Sequence, residues 1–232
     1  MKYGHVLFDL DHTLLDSDGS EAAAFGEAMR RSGVEDALPL LPRYREVNRG
    51  LWRALERGEL SLSRLRVQRF EDLAAAAKLE LDAEATADHF SDLLGEHGEL
   101  YEGARAALEA LASRVRLALV TNGVGRTQRR RIDRLGLRPF FDGIAISGEL
   151  GTAKPGTEIF DEALRQLGDP PRERVLMVGD NLSSDIAGAN ASGIDACWLN
   201  PAGKANAAGV PVTHEVTRLE TVLEIVGSVA AG

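Results

Sequence analysis

The sequence predicts an α/β protein in which a parallel β-sheet core is interrupted, after its first strand, by a block of α-helices. From about residue 104 onward, short apolar runs alternate with helical segments, as is typical of a parallel sheet covered by helices on both faces. Residues 20–98 contain no strand pattern and are rich in Ala, Leu, Glu and Arg, which are strong helix formers. The predicted domains are therefore a Rossmann-like core formed by residues 1–15 and 99–232 and a helical cap formed by residues 16–98.

The first strand and the helices of the insertion each have a local signal. The apolar run at 5–10 ends abruptly in acidic residues, which predicts a buried strand that meets a polar edge. Ser61 and Asp82 have side chains that cap helix N-termini, and each stands directly before a helical segment. Proline, glycine and these caps separate four predicted helices, near 20–32, 40–57, 62–78 and 83–97.

The rest of the chain alternates between the two kinds of element. Helices are predicted near 104–113, 126–135, 156–168, 184–192 and 218–227. Strands are predicted at 116–121, 144–147, 174–179, 194–199 and 212–216. Because helices alternate with these mostly apolar strands, we expect the strands to lie parallel in one sheet.

The composition excludes several classes of protein. A formal net charge of −9 argues against binding to a nucleic-acid polymer, because such binding depends on clustered Lys and Arg. No apolar run reaches the roughly 18–20 residues of a membrane span, and the first ten residues lack the apolar region of a signal peptide. Cys197 is the single cysteine and cannot form an internal disulfide. We therefore expect a cytoplasmic protein that is a monomer or a weak homo-oligomer.

Polar side chains follow the predicted strands at positions that meet at one edge of a parallel sheet. They are Asp9, Asp11 and Thr13 after the first strand, Thr121 and Asn122 after the second, Lys154 at a helix start, and Asp180 and Asp185 after the strand 174–179. Crowded carboxylates repel one another unless a divalent cation lies among them, and Mg²⁺ prefers such oxygen ligands. Lys154 and the amides of a strand-to-helix turn would add positive potential. The sequence therefore predicts a magnesium site that binds a small anion.

These motifs resemble those of the haloacid-dehalogenase-like hydrolase superfamily, in the form that has a helical cap inserted after the first motif. The matching segments are DLDHT at 9–13, VTNG at 120–123, Lys154-Pro155 and GDNLSSD at 179–185. The chain departs from the family pattern at His12, where many members have glycine. The resemblance implies hydrolysis of a phosphate monoester through an aspartyl-phosphate intermediate.

The resemblance also implies a role for each site residue. Asp9 would be the nucleophile, and Asp11 the acid that protonates the leaving oxygen and then the base that activates water. The metal ligands would be Asp9, the backbone carbonyl of Asp11, and Asp180, with Asp185 directly behind them or among them. Thr121, the amide of Asn122, and Lys154 would hold the phosphoryl oxygens.

Three segments are similar to a group of pyrimidine 5′-nucleotidases, namely 121–137, 153–160 and 178–201. The most specific pieces are Gln128 and the segment Cys197-Trp198-Leu199-Asn200. The substrate class expected from this similarity is a pyrimidine nucleoside monophosphate. The alternatives are a phosphatase of small sugar phosphates or phosphoglycolate, a phosphomutase of the same fold, and a non-enzymatic phospho-acceptor.

The predicted cap contains an arginine-rich stretch with two interpretations. Residues 43–69 hold eight Arg and three Glu. These arginines could meet a phosphate or a base edge, but ion pairs on a solvated helix face are the interpretation we favour. Tyr44, Trp52 and Phe70 could stack on a nucleobase, although their helical spacing is more typical of core residues.

Overall fold

The computed structural model of the chain describes residues 1–227 and contains a six-stranded parallel sheet. The strands are β1 (His5–Phe8), β2 (Arg116–Thr121), β3 (Gly143–Ile146), β4 (Val175–Gly179), β5 (Asp195–Leu199) and β6 (His214–Val216). Their order across the sheet is β3-β2-β1-β4-β5-β6. The predicted α/β fold with a parallel sheet is confirmed, and β1 lies in its interior with a hydrogen-bonded neighbour on each side.

The helices alternate with the strands as predicted, except in two places. They are α1 (Ser17–Arg31), α2 (Leu41–Glu56), α3 (Leu62–Ala77), α4 (Ala83–Glu96), α5 (Ala104–Ala112), α6 (Gly125–Arg134), α7 (Ser147–Leu150), α8 (Thr157–Gln166), α9 (Ala187–Ala191) and α10 (Thr221–Gly227). The one-turn helix α7 has no counterpart in the prediction, because four residues are too few to show a periodic pattern. The predicted helix 184–192 begins instead as a wide turn at Leu182–Ile186 before α9.

The described residues divide into two compact units. One unit contains the sheet and is formed by Met1–Asp16, Leu100–Asn122 and the residues from Leu135 onward. The other is helical and is formed by Ser17–Glu99 together with Gly123–Arg134. Helix α6 is thus a member of the helical unit although it follows a strand of the sheet. The domain boundaries proposed from the sequence remain a prediction, and residues 228–232 of the proposed core lie outside the described residues.

The sheet unit has an apolar core on both faces of its strands. Leu7, Val120 and Met177 are fully buried in the strands, as the nearly continuous apolar sequence of these strands requires. Phe160 of α8 packs into the same core. Cys197 of β5 is free and buried, and burial raises the pKa of its thiol to about 12.

The helical unit has a separate core built around aromatic rings. The ring centroids of Phe25 and Tyr44 lie 4.7 Å apart, and those of Tyr44 and Phe70 lie 5.6 Å apart. Phe90 completes the cluster at 5.5 Å from Phe70. Tyr44 and Phe70 are fully buried among these rings, whereas Trp52 is half-buried. The two buried aromatic residues therefore serve as core.

Helix ends and surface charges in the helical unit follow the sequence closely. The Ser61 hydroxyl accepts a hydrogen bond from the amide of Arg64, and the Asp82 carboxylate accepts from the amides of Glu84 and Ala85, so both predicted caps are confirmed.

Several arginines of the stretch 43–69 have carboxylate partners, through the pairs Arg43–Glu46, Arg45–Glu21, Arg57–Glu59, Arg64–Glu71 and Arg66–Asp88. Five of the eight arginines thus pair with carboxylates, in three exposed pairs and two partly buried ones. Among the described residues, no helix has the length and hydropathy needed to cross a membrane.

The packing of α9 against α8 allows a direct test of the fold. A Cβ atom at Gly188 would lie 2.5 Å from Cε2 of Phe160, which is fully buried. We expect Gly188→Ala to lower the free energy of unfolding by about 1–3 kcal/mol through overpacking, as measured by urea denaturation.

A second glycine provides the matched control for this test. Gly50 is an exposed residue of α2, and a Cβ atom there would have open space around it for 4 Å. Gly50→Ala should raise the free energy of unfolding by about 0.5–1 kcal/mol, because alanine loses less backbone entropy in a helix. Equal effects of the two substitutions would contradict the packing described for Gly188.

Candidate functional site

Three of the acidic residues singled out in the sequence, Asp9, Asp180 and Asp185, meet where the strand order reverses. Strand β1 pairs with β2 on one side and with β4 on the other, so the chain segments after these strands emerge side by side. The backbone amide of Asp9 still donates to the carbonyl of Val178 at 3.0 Å, which continues the β1–β4 ladder to the edge. Asp9, Asp180 and Asp185 each offer a carboxylate oxygen, and these oxygens all lie within 4.8 Å of one another.

A buried ion-pair centre links Lys154 to this cluster. The Lys154 ammonium lies 2.5 Å from Oδ1 of Asp9 and 2.7 Å from Oδ1 of Asp185. It also donates to the carbonyl oxygen of Val120 at 2.8 Å. Only 2% of Lys154 is exposed, so the ammonium is enclosed by these three protein oxygens.

Asp9 is held on its other side by Thr13. The Thr13 hydroxyl, which is fully buried, donates to Oδ2 of Asp9 at 3.2 Å. The loop between them is tight, because the amide of His12 donates to the carbonyl of Leu15 at 2.9 Å. His12 itself has a φ of 63°, in the left-handed region that glycine enters most easily. This backbone requirement accounts for the glycine that the family pattern has at this position; the His12 side chain is exposed.

Asp185 is placed by the wide turn at Leu182–Ile186. Its Oδ2 accepts a hydrogen bond from the amide of Asn181 at 3.0 Å. The Asn181 side chain in turn accepts from the amides of Ser183 and Ser184 and so fixes the turn. A Cβ atom at Gly179 would lie 2.3 Å from the Asp185 carboxylate, and only glycine leaves room for this close approach.

Asn122, the residue after β2, positions the backbone of Lys154 through its side chain. The Asn122 amide group donates from Nδ2 to the carbonyl of Lys154 at 3.0 Å, and Oδ1 of Asn122 accepts from the amide of Lys154 at 2.9 Å. These paired bonds tie the end of β2 to the backbone of Lys154, whose peptide bond to Pro155 is cis. Thr121, the last residue of β2, is fully buried beside this link.

The backbone of Asp180 is supported from the neighbouring strand. The Trp198 indole of β5 donates to the carbonyl of Asp180 at 2.9 Å. In the register of the two strands Trp198 stands opposite Gly179, the residue before Asp180. The segment Cys197-Trp198-Leu199-Asn200 therefore contributes a direct contact to the acidic cluster.

Burial dominates the electrostatics of these carboxylates. Burial raises the pKa of Asp9 well above its usual range; the Lys154 charge opposes this rise, while Asp185, Asp180 and Asp11 add to it. Burial and the Asp185 charge raise the pKa of Asp180 to about 7. Burial alone would lower the pKa of Lys154, but Asp185 and Asp9 reverse that effect and raise it. The Asp11 charge also raises the pKa of Asp180.

The donor set suits a hard divalent cation. Three convergent carboxylates offer only oxygen ligands, and their mutual repulsion is relieved when a cation lies among them. The magnesium site that the sequence predicts is compatible with this arrangement, and its ligands remain a proposal.

The acids and the lysine are evident from the sequence, whereas three supporting contacts are not. These are the Thr13 hydroxyl on Asp9, the Trp198 indole on Asp180 and the Asn122 side chain on the Lys154 backbone. Thr13 and Asn122 stand inside the recognised motifs, so only the direction of their side chains was missing. The Trp198 contact has no local signal, because it depends on the pairing of β4 with β5.

Comparison with known proteins gives a family match over most of the chain. The model of the haloacid dehalogenase-like hydrolase family matches residues 3–193. The chain is 34% identical to the pyrimidine 5′-nucleotidase PynA of Streptococcus pneumoniae, over 97% of the chain and 95% of that protein. It is also 34% identical to the pyrimidine 5′-nucleotidase YjjG of Escherichia coli, over 97% of the chain and 98% of that protein.

A solved structure agrees with these matches. The fold is similar to the crystal structure of the HAD-hydrolase YfnB from Bacillus subtilis bound to magnesium, with a TM-score of 0.91 and 32% identity. This similarity covers 98% of the chain and all of the YfnB chain.

The raised pKa of Asp180 predicts a pH-dependent stability when divalent metal is removed with EDTA. The folded protein keeps the Asp180 proton up to about pH 7, whereas the unfolded chain loses it near its ordinary pKa of about 3.9. Between these values the folded state binds more protons, so stability falls as pH rises, by at most about 1.4 kcal/mol per pH unit. Above about pH 7 this contribution is constant.

Urea denaturation in EDTA across this range measures the effect. Asp180→Asn removes the titrating carboxyl and should flatten part of the pH dependence, whereas Asp169→Asn, at an exposed loop position, should leave it unchanged. Identical pH profiles for the parent and Asp180→Asn would contradict the shift assigned to Asp180.

Proposed function

Because the chain belongs to the haloacid dehalogenase-like hydrolase family, we propose that it is a magnesium-dependent phosphatase of nucleoside monophosphates, with Asp9 as its nucleophile. The observation that carries this proposal is the environment of Asp9. Its Oδ1 contacts the Lys154 ammonium, its Oδ2 accepts from Thr13, and two further carboxylates lie beside it. A carboxylate held at both oxygens has a defined direction, as a nucleophile requires.

The proposed reaction has two steps. A carboxylate oxygen of Asp9 attacks phosphorus while the ester P–O bond breaks, and the leaving oxygen takes a proton from Asp11. Water then attacks the phosphorus of the aspartyl phosphate and gives a proton to Asp11, while the bond from phosphorus to the Asp9 oxygen breaks. Inorganic phosphate and free Asp9 result. The influence of Asp11 on both Asp9 and Asp180 supports its place beside the reacting group.

The residues proposed to hold Mg²⁺ are Asp9, the backbone carbonyl of Asp11, and Asp180, with Asp185 as a further ligand or as their support. Bound Mg²⁺ would keep the buried carboxylates ionised and offset negative charge on the phosphoryl oxygens. Lys154 would keep Asp9 and Asp185 charged and in place, and Asn122 would orient Lys154 through its backbone. Thr121, the Asn122 amide and Lys154 remain the proposed phosphate-binding groups.

The proposed substrate class is a pyrimidine nucleoside monophosphate. The support is the full-length similarity to PynA and YjjG, both of which are named pyrimidine 5′-nucleotidases. The decisive measurement is release of inorganic phosphate from a panel of UMP, dTMP and CMP, purine nucleoside monophosphates, glucose phosphates and phosphoglycolate. Preference for a sugar phosphate or for phosphoglycolate would replace the nucleotide assignment, and isomerisation of a sugar phosphate would indicate a mutase.

The nucleophile assignment predicts that Asp9→Asn lowers kcat by about a thousandfold or more, because the amide cannot form the acyl phosphate. Phosphate release under saturating substrate and Mg²⁺ measures the loss. Asp169→Asn makes the same chemical change at an exposed loop position and should keep the parent rate. Near-parent activity of Asp9→Asn would end the assignment.

The metal assignment predicts a different defect at Asp180. Asp180→Asn removes one anionic ligand, so the Mg²⁺ concentration for half-maximal rate should rise about tenfold or more. Titration of activity with Mg²⁺ measures this shift. If the variant needs no more Mg²⁺ than the parent, Asp180 is not a ligand.

A further inference from the structure

The charge balance of the acidic cluster leaves little attraction for an anion. With all four groups ionised, Asp9, Asp180, Asp185 and Lys154 together carry two negative charges, and one Mg²⁺ would only neutralise them. The Lys154 ammonium is buried and lies against oxygens of Asp9, Asp185 and Val120. A dianionic phosphoryl group that approaches this edge of a protein of net charge −9 therefore needs a further cation.

The loop after β5 presents such a cation in a fixed backbone frame. Asn200 donates from Nδ2 to the carbonyl of Lys204 at 2.9 Å, and its Oδ1 accepts from the amide of Lys204 at 2.9 Å. We call these two bonds the Asn200 clamp. Only 2% of Asn200 is exposed, and its Nδ2 also donates to Glu215 of β6 at 2.7 Å. The clamp thus anchors the backbone of Lys204 to the sheet while the Lys204 side chain stays exposed.

The clamp lies beside the acidic cluster. Strand β5 pairs with β4, and Trp198, two residues before Asn200, donates its indole hydrogen to the carbonyl of Asp180. Two cations stand at this edge of the sheet: Lys204 lies in the loop after β5, as Asp180 lies directly after the neighbouring β4, and Lys154 contacts Asp9 and Asp185. Of these two, Lys154 is enclosed by its partners and Lys204 is open to solvent.

We propose that Lys204, positioned by the Asn200 clamp, is a substrate-binding residue whose ammonium pairs with the phosphoryl group of the incoming phosphate monoester. The proposal rests on the phosphatase function proposed above and adds a residue that none of the four sequence motifs contains. An exposed ammonium on a fixed backbone attracts a dianion over several ångströms and then contacts its oxygens without a strict geometric requirement. The paired Asn200 bonds keep this charge at the sheet edge.

The test compares Lys204→Gln with Arg174→Gln. Arg174 is an exposed residue directly before β4, at the end of the strand opposite Asp180, so its replacement removes the same charge away from the site. We expect Lys204→Gln to raise KM for the best nucleoside monophosphate about three- to tenfold with kcat within about twofold, because binding is lost equally in the ground and transition states. Lys204→Arg should restore most of the affinity, and Arg174→Gln should match the parent.

Salt dependence separates a charge effect from a structural one. Between about 20 and 200 mM salt, kcat/KM of the parent should fall, because salt screens the attraction between Lys204 and the substrate. The fall should be smaller in Lys204→Gln, because this variant lacks the charge that salt screens. In an Asn200→Ala background the effect of Lys204→Gln should shrink, because the charge is no longer held in place. Equal KM values for Lys204→Gln and Arg174→Gln, or a failure of Lys204→Arg to recover affinity, would overturn the proposal.

A binding measurement makes the outcome independent of turnover. Titration calorimetry of inorganic phosphate into the Mg²⁺-loaded protein should show a Kd about three- to tenfold weaker for Lys204→Gln than for the parent and Arg174→Gln. A parent that hydrolyses no phosphate monoester refutes the proposed function, whereas an active parent with unchanged phosphate affinity in Lys204→Gln refutes only the role of Lys204.

Discussion

The ion-pair centre of Lys154 with Asp9 and Asp185 is the constraint on which the rest of the sheet edge depends. An isolated carboxylate or ammonium at such depth would be neutralised or would lower the stability by several kcal/mol. The three groups are compatible only together, and each is fixed by a separate element: Asp9 by β1 and Thr13, Asp185 by the turn after β4, and Lys154 by Asn122 after β2. The topology supplies this convergence, since β1 lies between β2 and β4. A polar centre shared by three chain segments gives a rigid frame in which one carboxylate can be aimed at a substrate.

Much of this organisation is visible in the sequence because it follows from local chemistry. The signals are short-range: apolar strands that end in acids, the helix caps Ser61 and Asp82, and the change from helices alone to alternating strands and helices. The elements that these signals predict occur at those places. The family resemblance identified the acids and Lys154 for the same reason, since each stands in a motif of a few residues. The one-turn helix α7 lacked such a signal because of its length.

The contacts that were not predicted depend on distant pairings. The Lys154 ammonium lies against Asp9, Asp185 and a carbonyl oxygen because three strands end side by side, which no single motif encodes. The Trp198 indole reaches Asp180 only because β5 is in register with β4. His12 is an intermediate case: the sequence showed only a departure from the glycine of many family members, and its φ of 63° gives the physical reason for that glycine. Sequence motifs thus identify reactive groups better than they identify the groups that hold them.

Helix α6 bears on how far this protein is modular. Its residues pack with the helical unit through Thr127, which donates to the carbonyl of Ser91, and through Arg131, which donates to the carbonyl of Leu94. The chain therefore crosses between the two units four times, and the helical unit is assembled from two stretches of sequence. A recombination event that exchanged only residues 17–99 would replace the partners of α6 while retaining α6 itself. Exchange of this unit between relatives would thus require α6 and the replaced segment to change together, which couples the evolution of two segments that are distant in sequence.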